Sequence, residues 1–488
     1  MSALMAASPL LVILLGMGIM RLSAVLAGAG GLALAVVLAL TAFAPGGPIA
    51  PAARGTGAEA VHTTATILWI ILPALAIYEF QNRAGAIDRI RDTLSGIASE
   101  RRIQAILIAW FFGLFMEGAA GFGTPVALAA PLLVGLGYAP VRAVALALLG
   151  HAAGVSFGAV GTPALAQIAV TGLDPNALAF STAAFHAVAG PVLLLSMVRL
   201  AGDTALTRRD LRWSAIAGAS FFLPALLLAW ATGPELSTLG GALAGTIVFV
   251  MLWRRRHPGP LPPLAPLVRD LAPYGIILAL VLLTRLVPPV QETLRGLDWA
   301  WSLDGGFAGS FQPLYHPGTI LFLGFAVGAA LTGRGRIIAP ALAAALRRML
   351  PVALALLVML TLSRLMVHSG MIEALARAAA GTGNAWPLLA PFIGILGTFI
   401  TGSATASNIL FTELQVTTAA ALGLSPLAMA AAQGFGAAIG NIVAPHNIIA
   451  GSATVGLVGK EGDILARTAL ACVASALIGG GIVFVLAG

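Results

Sequence analysis

The chain is a succession of long apolar stretches separated by short polar interruptions, from residue 3 to residue 486. A helix needs about 20 predominantly apolar residues to cross the hydrocarbon core of a bilayer. A chain of 488 residues with this pattern has room for about 12 crossings and their connecting loops. The pattern therefore predicts an all-α polytopic membrane protein.

Polar and charged residues between the apolar stretches set the boundaries of the first predicted elements. The first three predicted spans are residues 2–20, 22–44 and 60–80. Arg21 separates the first two, and the Pro- and Gly-rich segment 44–57 is predicted to be a loop. Over residues 81–102, arginines alternate with isoleucine and leucine at helical spacing. This spacing indicates an amphipathic helix at the membrane interface.

Composition and charge agree with a membrane location. The chain is 59% hydrophobic and 9% charged, whereas soluble domains carry about 25% charged residues. The net charge of +8 comes almost entirely from arginines in short loops, which fits the positive-inside rule better than a nucleic-acid-binding face. With those loops in the cytoplasm, the N-terminus and the loop 288–316 lie outside. We expect a multi-pass membrane protein, surrounded by lipid and without a nucleic-acid partner.

Two segments of the chain share the same order of six features, namely a span, a short helix, a polar break, two markers and a final span. The breaks read EGAAGFGTP at residues 117–125 and TGSATASN at residues 401–408. The markers are LGYAP (136–140) and GAVGTP (158–163), then LGLSP (422–426) and GNIVAP (440–445). Because the segments begin on opposite sides in the predicted topology, they indicate an inverted-topology repeat with two re-entrant helical hairpins.

The repeat divides the chain into four predicted parts. They are N-terminal spans (1–58), a first repeat (59–200), linking or scaffold spans (201–350) and a second, inverted repeat (351–488). Broken helices are tolerated at membrane depth only where the freed backbone groups face protein or water. Paired breaks therefore predict a transporter binding site near the midplane. Close packing of small residues is the alternative, and it accounts less well for clusters that recur with the same markers.

Glu117 is a carboxylate deep in an apolar arm, directly before the first break. Ionisable residues inside membrane segments are costly and usually functional, so Glu117 is predicted to carry a proton. Its alternative role is to accept hydrogen bonds from freed backbone N–H groups. His151, His368 and His446 lie in or beside the breaks and could titrate near neutral pH; His151 is the second proton-coupling candidate. Arg364 could face an anion or reach the outer interface.

The breaks would direct backbone N–H groups and helix N-terminal dipoles into one cavity, which attracts carboxylates. A small hydroxy acid offers one carboxylate and one hydroxyl to the side chains there, which are Thr124, Ser403, Thr405, Ser407 and Asn408. The sequence holds no nucleotide-binding motif and no metal-ligand spacing. We therefore predict no cofactor and no metal, and expect an ion gradient as the energy source.

Four motif regions resemble the L-lactate permease family, which includes glycolate permeases. They are EGAAGFGTPVALAAPLLVGLGY (117–138), HSGM with the following helix and TG (368–382), FITGSATASNILFTELQ (399–415), and the run from AAQ (431–433) through TVGLVGKEGDILART (454–468). The resemblance covers most of the chain. It implies import of lactate, glycolate and related 2-hydroxymonocarboxylates into bacteria, across the bacterial inner membrane and in symport with protons. It also implies a distant relation to the ion-transporter superfamily, with hairpin-bearing inverted repeats and elevator-type motion.

The resemblance assigns residues to the two hairpins. The first hairpin matches Glu117, Gly118, Gly121, Phe122, Gly123 and Pro125, and the second matches Thr401, Gly402, Ser403, Thr405, Ser407 and Asn408. The predicted substrate-binding set is completed by Gly121, Phe122, Gly123, His446 and Asn447. Ala404 stands where many members carry Asp or Asn, and this departure shifts the expected proton coupling toward Glu117.

The sequence thus predicts a secondary active transporter rather than an enzyme. Its expected substrates are small hydroxycarboxylate anions and protons, moved by alternating access between two hairpins. A sodium-coupled carboxylate transporter of the same fold and an anion channel remain as alternatives. A membrane-embedded enzyme is disfavoured because no nucleophile, base and orienting group occur together. The sequence leaves open whether the protein is a homodimer.

Overall fold

The computed structural model describes residues 2–20, 22–43, 49–258 and 264–487, and this part of the chain is predominantly helical. The first ten helices are α1 (Ser2–Gly18), α2 (Ala24–Leu40), α3 (Ile49–Arg83), α4 (Ala86–Ser95), α5 (Arg101–Ala105), α6 (Gly113–Ala119), α7 (Thr124–Gly135), α8 (Pro140–His151), α9 (Gly158–Thr171) and α10 (Pro175–Ala201). A π-helical segment, Ile106–Phe112, joins α5 to α6, and a 3₁₀ segment, Ala152–Phe157, joins α8 to α9.

The middle of the chain contains five helices and two strands. They are α11 (Arg208–Thr232), α12 (Ser237–Arg256), α13 (Leu264–Leu286), α14 (Pro288–Arg295), β1 (Trp299–Leu303), β2 (Phe307–Phe311) and α15 (Pro317–Leu331). The last seven helices are α16 (Ile338–His368), α17 (Met371–Ala380), α18 (Trp386–Thr401), α19 (Ala404–Leu422), α20 (Pro426–Gly440), α21 (Pro445–Thr454) and α22 (Glu461–Ala487). Short 3₁₀ segments, Gly335–Ile337 and Gly383–Ala385, precede α16 and α18.

Many of these helices are long enough to cross a membrane. Ten helical segments of the described residues, some of them joined across a short irregularity, are long and apolar enough to cross a bilayer. Five further apolar helices are shorter, at 10–17 residues. A polytopic membrane protein built from helices is therefore confirmed, while the count of about 12 crossings stays a prediction.

Helix ends fall where the polar markers predicted them. The first break separates Ala119 from Thr124, and the second separates Thr401 from Ala404. Residues 136–139 and 423–425 divide α7 from α8 and α19 from α20. The amphipathic segment forms α4, shorter than predicted, with Ile87, Ile90 and Leu94 buried. At these four places, Gly, Pro and hydroxyl residues mark helix ends.

The interior of the protein is built from two segments rich in alanine and glycine. Residues 143–164 and 428–440 are buried without interruption. Small side chains allow neighbouring helices to approach until their backbones touch. At Gly436 a Cβ atom would collide with the carbonyl oxygen of Pro391 on α18. The two segments adjoin the breaks, so the breaks are held by the most tightly packed part of the fold.

Two regions differ from the sequence predictions. The predicted loop 44–57 is helical from Ile49 onward, because a helix tolerates Pro51 in its first turn, where the N–H groups have no partner. Within the predicted outer loop 288–316, α14 is followed by the antiparallel hairpin β1–β2, which is the one exception to all-α structure in the described residues. Arg21 and residues 44–48 lie outside the described residues.

Buried Asp270 ties several elements together at one end of the molecule. Its carboxylate accepts hydrogen bonds from Arg89 Nε at 2.6 Å and Nη2 at 2.7 Å, and from Arg334 Nη1 at 3.3 Å. Asp270 is 1% exposed, so the two guanidinium groups supply the counter-charge that water cannot. The three residues join α4 and α13 to the connection between α15 and α16.

We expect Asp270→Asn to lower the thermal stability of the purified protein in detergent. The neutral amide leaves two arginines without their carboxylate, at a cost of about 2 kcal/mol because Arg89 remains partly hydrated. Thermal unfolding followed by tryptophan fluorescence measures the change. The control is Asp203→Asn, which removes an exposed partner of Arg101 and Arg142. Equal melting temperatures for Asp270→Asn and wild type would contradict a clamping role.

Candidate functional site

A cavity of about 660 Å³, here called the central cavity, lies where the two broken segments meet. Its walls come from the α6–α7 break, the α18–α19 break, the irregular start of α9 and the start of α21. Nine of the twelve predicted site residues line it, namely Glu117, Gly121, Phe122, Gly123, Thr124, Ser403, Thr405, His446 and Asn447. The structure therefore brings residues from both halves of the chain into one site.

The first break is a tight turn of three successive residues in the left-handed region. Gly121, Phe122 and Gly123 have φ values of 55°, 50° and 80°. Only glycine adopts this conformation freely, so Phe122 carries a strain of about 1 kcal/mol. Its side chain is 42% exposed and lines the cavity. Thr124 Oγ1 donates to the Gly121 carbonyl at 2.7 Å and fixes the turn at the start of α7.

The second break is shorter and is stabilised by hydroxyl groups. Gly402 is left-handed, with φ of 68°, and Ser403 caps α19 by accepting a hydrogen bond from Ala406 N at 3.3 Å. Thr401 Oγ1 donates to the Gly397 carbonyl at 2.8 Å and accepts from Ser403 N at 3.2 Å. The N-terminal turns of α7 and α19 both border the cavity, and such turns favour anions.

Glu117 lies in the last turn of α6 and is 5% exposed. Its carboxylate receives no hydrogen bond from any of the described residues in this structure, yet it lines the cavity. One oxygen packs against the backbone of Gly158 at the start of α9, where a Cβ atom would collide with it. The other oxygen is 4.0 Å from His151 Nε2. Glu117 does not act as the acceptor for freed backbone N–H groups that the sequence also allowed.

His151 lies behind Glu117, 1% exposed at the end of α8, and does not line the cavity. Its Nδ1 donates to the Ala147 carbonyl at 2.8 Å. In the neutral ring the other nitrogen, Nε2, therefore carries the lone pair. This nitrogen is the one that faces Glu117.

The second half contributes a polar group that was missing from the predicted site. Asn441 follows α20 and lines the cavity. Its Oδ1 accepts a hydrogen bond from Asn447 Nδ2 at 2.5 Å. Next to Asn447, the His446 ring covers Gly402 in the second break. Asn441 is the polar residue of the GNIVAP marker, so the sequence held a signal, but the marker served only to align the repeats.

Ser407 and Asn408 lie outside the cavity lining. Ser407 Oγ donates to the Gly394 carbonyl at 2.9 Å, and Asn408 Nδ2 donates to the Pro163 carbonyl at 3.1 Å. Both side chains are fully buried and join α19 to α18 and α9. They position the second break without facing its open side. Ala404 lines the cavity and also packs with Val155, in an apolar cluster.

A second cavity of about 1200 Å³, here called the vestibule, is lined by residues of α3, α9 and β2. Ile67 and Ile70 line the vestibule, whereas Ile71 lines the central cavity, so α3 separates the two. Strand β2 forms another vestibule wall and is held by His62, whose Nε2 donates to the Ser310 carbonyl at 3.2 Å.

Charged side chains of the vestibule are largely paired with one another. Arg364 donates to the Ala169 carbonyl at 3.0 Å and lies 3.5 Å from Glu413, so it faces this space rather than lipid. His368 Nε2 lies 2.7 Å from Glu59 Oε2, which places this predicted histidine outside the central cavity. Burial lowers the pKa of His316 to about 4, with a further contribution from Arg285. Its neutral Nδ1 therefore accepts from Gly318 N and caps α15.

A family model described as L-lactate permease matches residues 2–260 and 264–488. The chain belongs to the L-lactate permease family. The glycolate permease GlcA of Escherichia coli is 30% identical over 96% of this chain and 92% of its own. An L-lactate permease of Salmonella typhimurium is 31% identical over 82% of this chain and 81% of its own. The YdaH transporter structure of Alcanivorax borkumensis is 16% identical, with a TM-score of 0.47, over 86% and 84% of the two chains.

Membership of the L-lactate permease family, together with the long apolar helices, makes the protein a multi-pass bacterial membrane protein. The description of the family as permeases points to a transporter and not to an enzyme. The family resemblance predicted from the motifs is confirmed over nearly the whole chain.

For this permease family member we expect Gly158→Ala to impair transport without unfolding the protein. Gly158 has φ of −64° and ψ of 154°, which alanine also adopts, so the only conflict is between the new methyl group and the Glu117 carboxylate. Displacing a reacting group by about 1 Å reduces activity tenfold or more. Labelled-lactate uptake into proteoliposomes and the melting temperature measure the two effects. In the matched control, Gly135→Ala, the Cβ meets no atom within 4 Å; equal uptake by both variants would contradict this arrangement.

Proposed function

We propose that the protein imports small 2-hydroxymonocarboxylates, lactate and glycolate among them, in symport with protons across the bacterial inner membrane. The observation that carries this proposal is the unpartnered Glu117 carboxylate in a cavity built by both breaks. Relatives named glycolate permease and L-lactate permease supply the substrate class.

The substrate carboxylate binds between the N-terminal turns of α7 and α19 in this proposal. Both turns offer backbone N–H groups and the positive end of a helix dipole. Thr405 and Ser403 add hydroxyl groups, and His446 and Asn447 face the same space to receive the substrate hydroxyl. Phe122 provides an apolar surface for the carbon next to the hydroxyl. Ser407 and Asn408 take a supporting role, holding the turn from behind.

Electrostatic repulsion couples the proton to the substrate. An ionised Glu117 and a substrate carboxylate about 5 Å apart would repel by about 3 kcal/mol at an effective dielectric constant near 20. Protonation of Glu117 removes this repulsion, so the anion and the proton bind more favourably together than singly. His151 Nε2, 4.0 Å away, offers a second position for the proton.

The arrangement of two cavities supports alternating access between the sides of the membrane. Arg348 lines the central cavity and belongs to the arginines assigned to the cytoplasm, whereas β2 lines the vestibule and belongs to the loop assigned to the outside. The layer between them includes Ile71 and Pro163. We propose that the two hairpin-bearing repeats, related by inversion, shift across this layer in an elevator-type motion.

The equivalences of the proposed repeat follow the element order. They pair α3 with α16, α4 with α17, the α6–α7 pair with the α18–α19 pair, α8 with α20, α9 with α21 and α10 with α22. The linking helices from α11 to α15 form the scaffold in this scheme. Assembly of two copies through that scaffold is compatible with it.

Uptake driven by separate ion gradients tests the coupling ion. In proteoliposomes with an inward proton gradient and no sodium gradient, we expect labelled lactate and glycolate to accumulate above equilibrium. A sodium gradient at equal pH should give no accumulation. Accumulation that follows only the sodium gradient would favour the sodium-coupled alternative, and equilibration without accumulation under either gradient would favour an anion channel.

Replacement of Glu117 separates proton coupling from substrate binding. We expect Glu117→Gln to abolish gradient-driven accumulation while counterflow exchange of labelled for unlabelled lactate continues, because the amide is neutral like the protonated acid. The matched control is Glu373→Gln, an exposed carboxylate paired with Arg377 one helical turn away. Normal accumulation by Glu117→Gln would move the proton site elsewhere.

A further inference from the structure

We infer that Arg348 binds the carboxylate of the substrate at the cytoplasmic end of the central cavity, between the two breaks and the cytoplasm. The inference rests on the proposed function, because it names the positive charge that meets the lactate or glycolate anion. It adds a second position for the anion, distinct from the helix N-terminal turns at the breaks. The group that Arg348 recognises is a single carboxylate.

The lining of the central cavity carries very little formal charge. Among the described residues that form it, Glu117 and Arg348 are the only Asp, Glu, Lys or Arg side chains. In the proposed mechanism Glu117 binds a proton together with the anion and becomes neutral. Arg348 is then the one of these two side chains that stays charged, and a monocarboxylate is a ligand whose charge it balances.

Arg348 lies at one end of a helical stripe that lines the cavity. The stripe on α16 consists of Arg348, Pro351, Val352, Ala355 and Met359, and steps of three or four residues keep these side chains on one face of the helix. At a rise of 1.5 Å per residue the stripe is about 16 Å long. Because Arg348 belongs to the arginines assigned to the cytoplasm, the stripe leads from the cytoplasmic end into the cavity. The Arg348 side chain is 42% exposed, which gives an anion access to it.

The guanidinium group of Arg348 is held by few contacts. Nη1 donates to Glu79 Oε1 at 2.8 Å, and this is its one hydrogen bond to the described residues. The Tyr78 ring packs against the group, with 5.1 Å between Cζ and the ring centroid. Tyr78 lines the cavity, whereas Glu79 does not. A guanidinium group has five N–H donors, so Arg348 keeps donors for a bidentate contact with a second carboxylate.

Glu79 is shared between two arginines. Its other oxygen, Oε2, is 3.7 Å from Nε of Arg83, one helical turn away on α3. The group of Glu79, Arg83 and Arg348 thus has one positive charge in excess. A substrate carboxylate on Arg348 neutralises that excess, and Glu79 keeps Arg83 as its partner when Arg348 turns toward the substrate. Glu79 and the substrate therefore compete for the same guanidinium group.

Calorimetric titration of the purified protein with lactate tests the inference, because it measures binding without transport and without a proton gradient. The two variants are Arg348→Gln and Glu79→Gln. The matched control is Arg347→Gln, which removes the neighbouring arginine of the same helix. Arg347 is exposed and borders neither cavity. The melting temperature is measured for every variant.

We expect Arg348→Gln to raise the dissociation constant for lactate about tenfold, the effect of losing a charge-assisted contact that is partly hydrated. The control Arg347→Gln should leave the constant within about twofold of wild type. Glu79→Gln should lower it about threefold, because a neutral amide competes less well than a carboxylate for the Arg348 guanidinium group.

The opposite signs separate substrate binding from a structural role. If Arg348 only joins α16 to α3 through Glu79, the two variants break the same pair and change the affinity in the same direction or leave it unchanged. Either result would overturn the inference. If Arg348→Gln does not fold, Glu79→Gln decides, since tighter binding of lactate supports the inference and equal or weaker binding overturns it.

Failure of the proposed function has a different result. Wild-type protein that binds neither lactate nor glycolate would overturn the proposed substrate class, and the role of Arg348 with it. Uptake without proton flux, found together with the expected changes in affinity, would overturn proton symport and still support Arg348. Wild-type affinity in both Arg348→Gln and Glu79→Gln would overturn the role of Arg348 alone.

Discussion

The structure depends on one constraint, that a backbone N–H or carbonyl group freed by a broken helix cannot be left facing hydrocarbon. Both breaks lie between apolar helices, and the residues beside them are largely buried in protein. The alanine- and glycine-rich segments 143–164 and 428–440 supply that cover. Their small side chains bring backbones into contact, and the space that remains at the tips of the breaks is the central cavity. The same physical requirement therefore creates the packing and the site.

The same constraint applies to charged side chains. Asp270 with its arginines lies at one end of the helices, and the pairs of Arg364 and His368 lie around the vestibule. Among the buried carboxylates of the described residues, Glu79, Glu235 and Asp270 each accept a hydrogen bond from an arginine. Glu117 is different, since its nearest basic nitrogen is 4.0 Å away. Because no cation holds it in place, the Glu117 carboxylate is able to change its hydrogen-bond partner. This property distinguishes the site from the structural ion pairs.

Much of the fold could be predicted from local sequence signals, because the two breaks and the markers between the apolar stretches coincide with helix ends. The helical start at Ile49 and the hairpin β1–β2 escaped prediction, since both depend on long-range contacts such as Phe307 packing against Gly55. Within the site, the residues on the turns were predictable. Ser407 and Asn408 do not line the cavity, because the rotation of α19 decides which of its faces meets α18. Asn441 escaped because the GNIVAP marker that contains it served only to align the two repeats.

The close contact at the first break also bears on biogenesis. Gly118 lies directly against the backbone of Leu239 on α12, and α7 packs against α21 near the end of the chain. During synthesis from the N-terminus, the first break would emerge more than a hundred residues before the earlier of these partners. Until then its freed peptide groups lack the surfaces that later enclose them. The enclosure of the first break is therefore completed only after α12 and α21 have been synthesised.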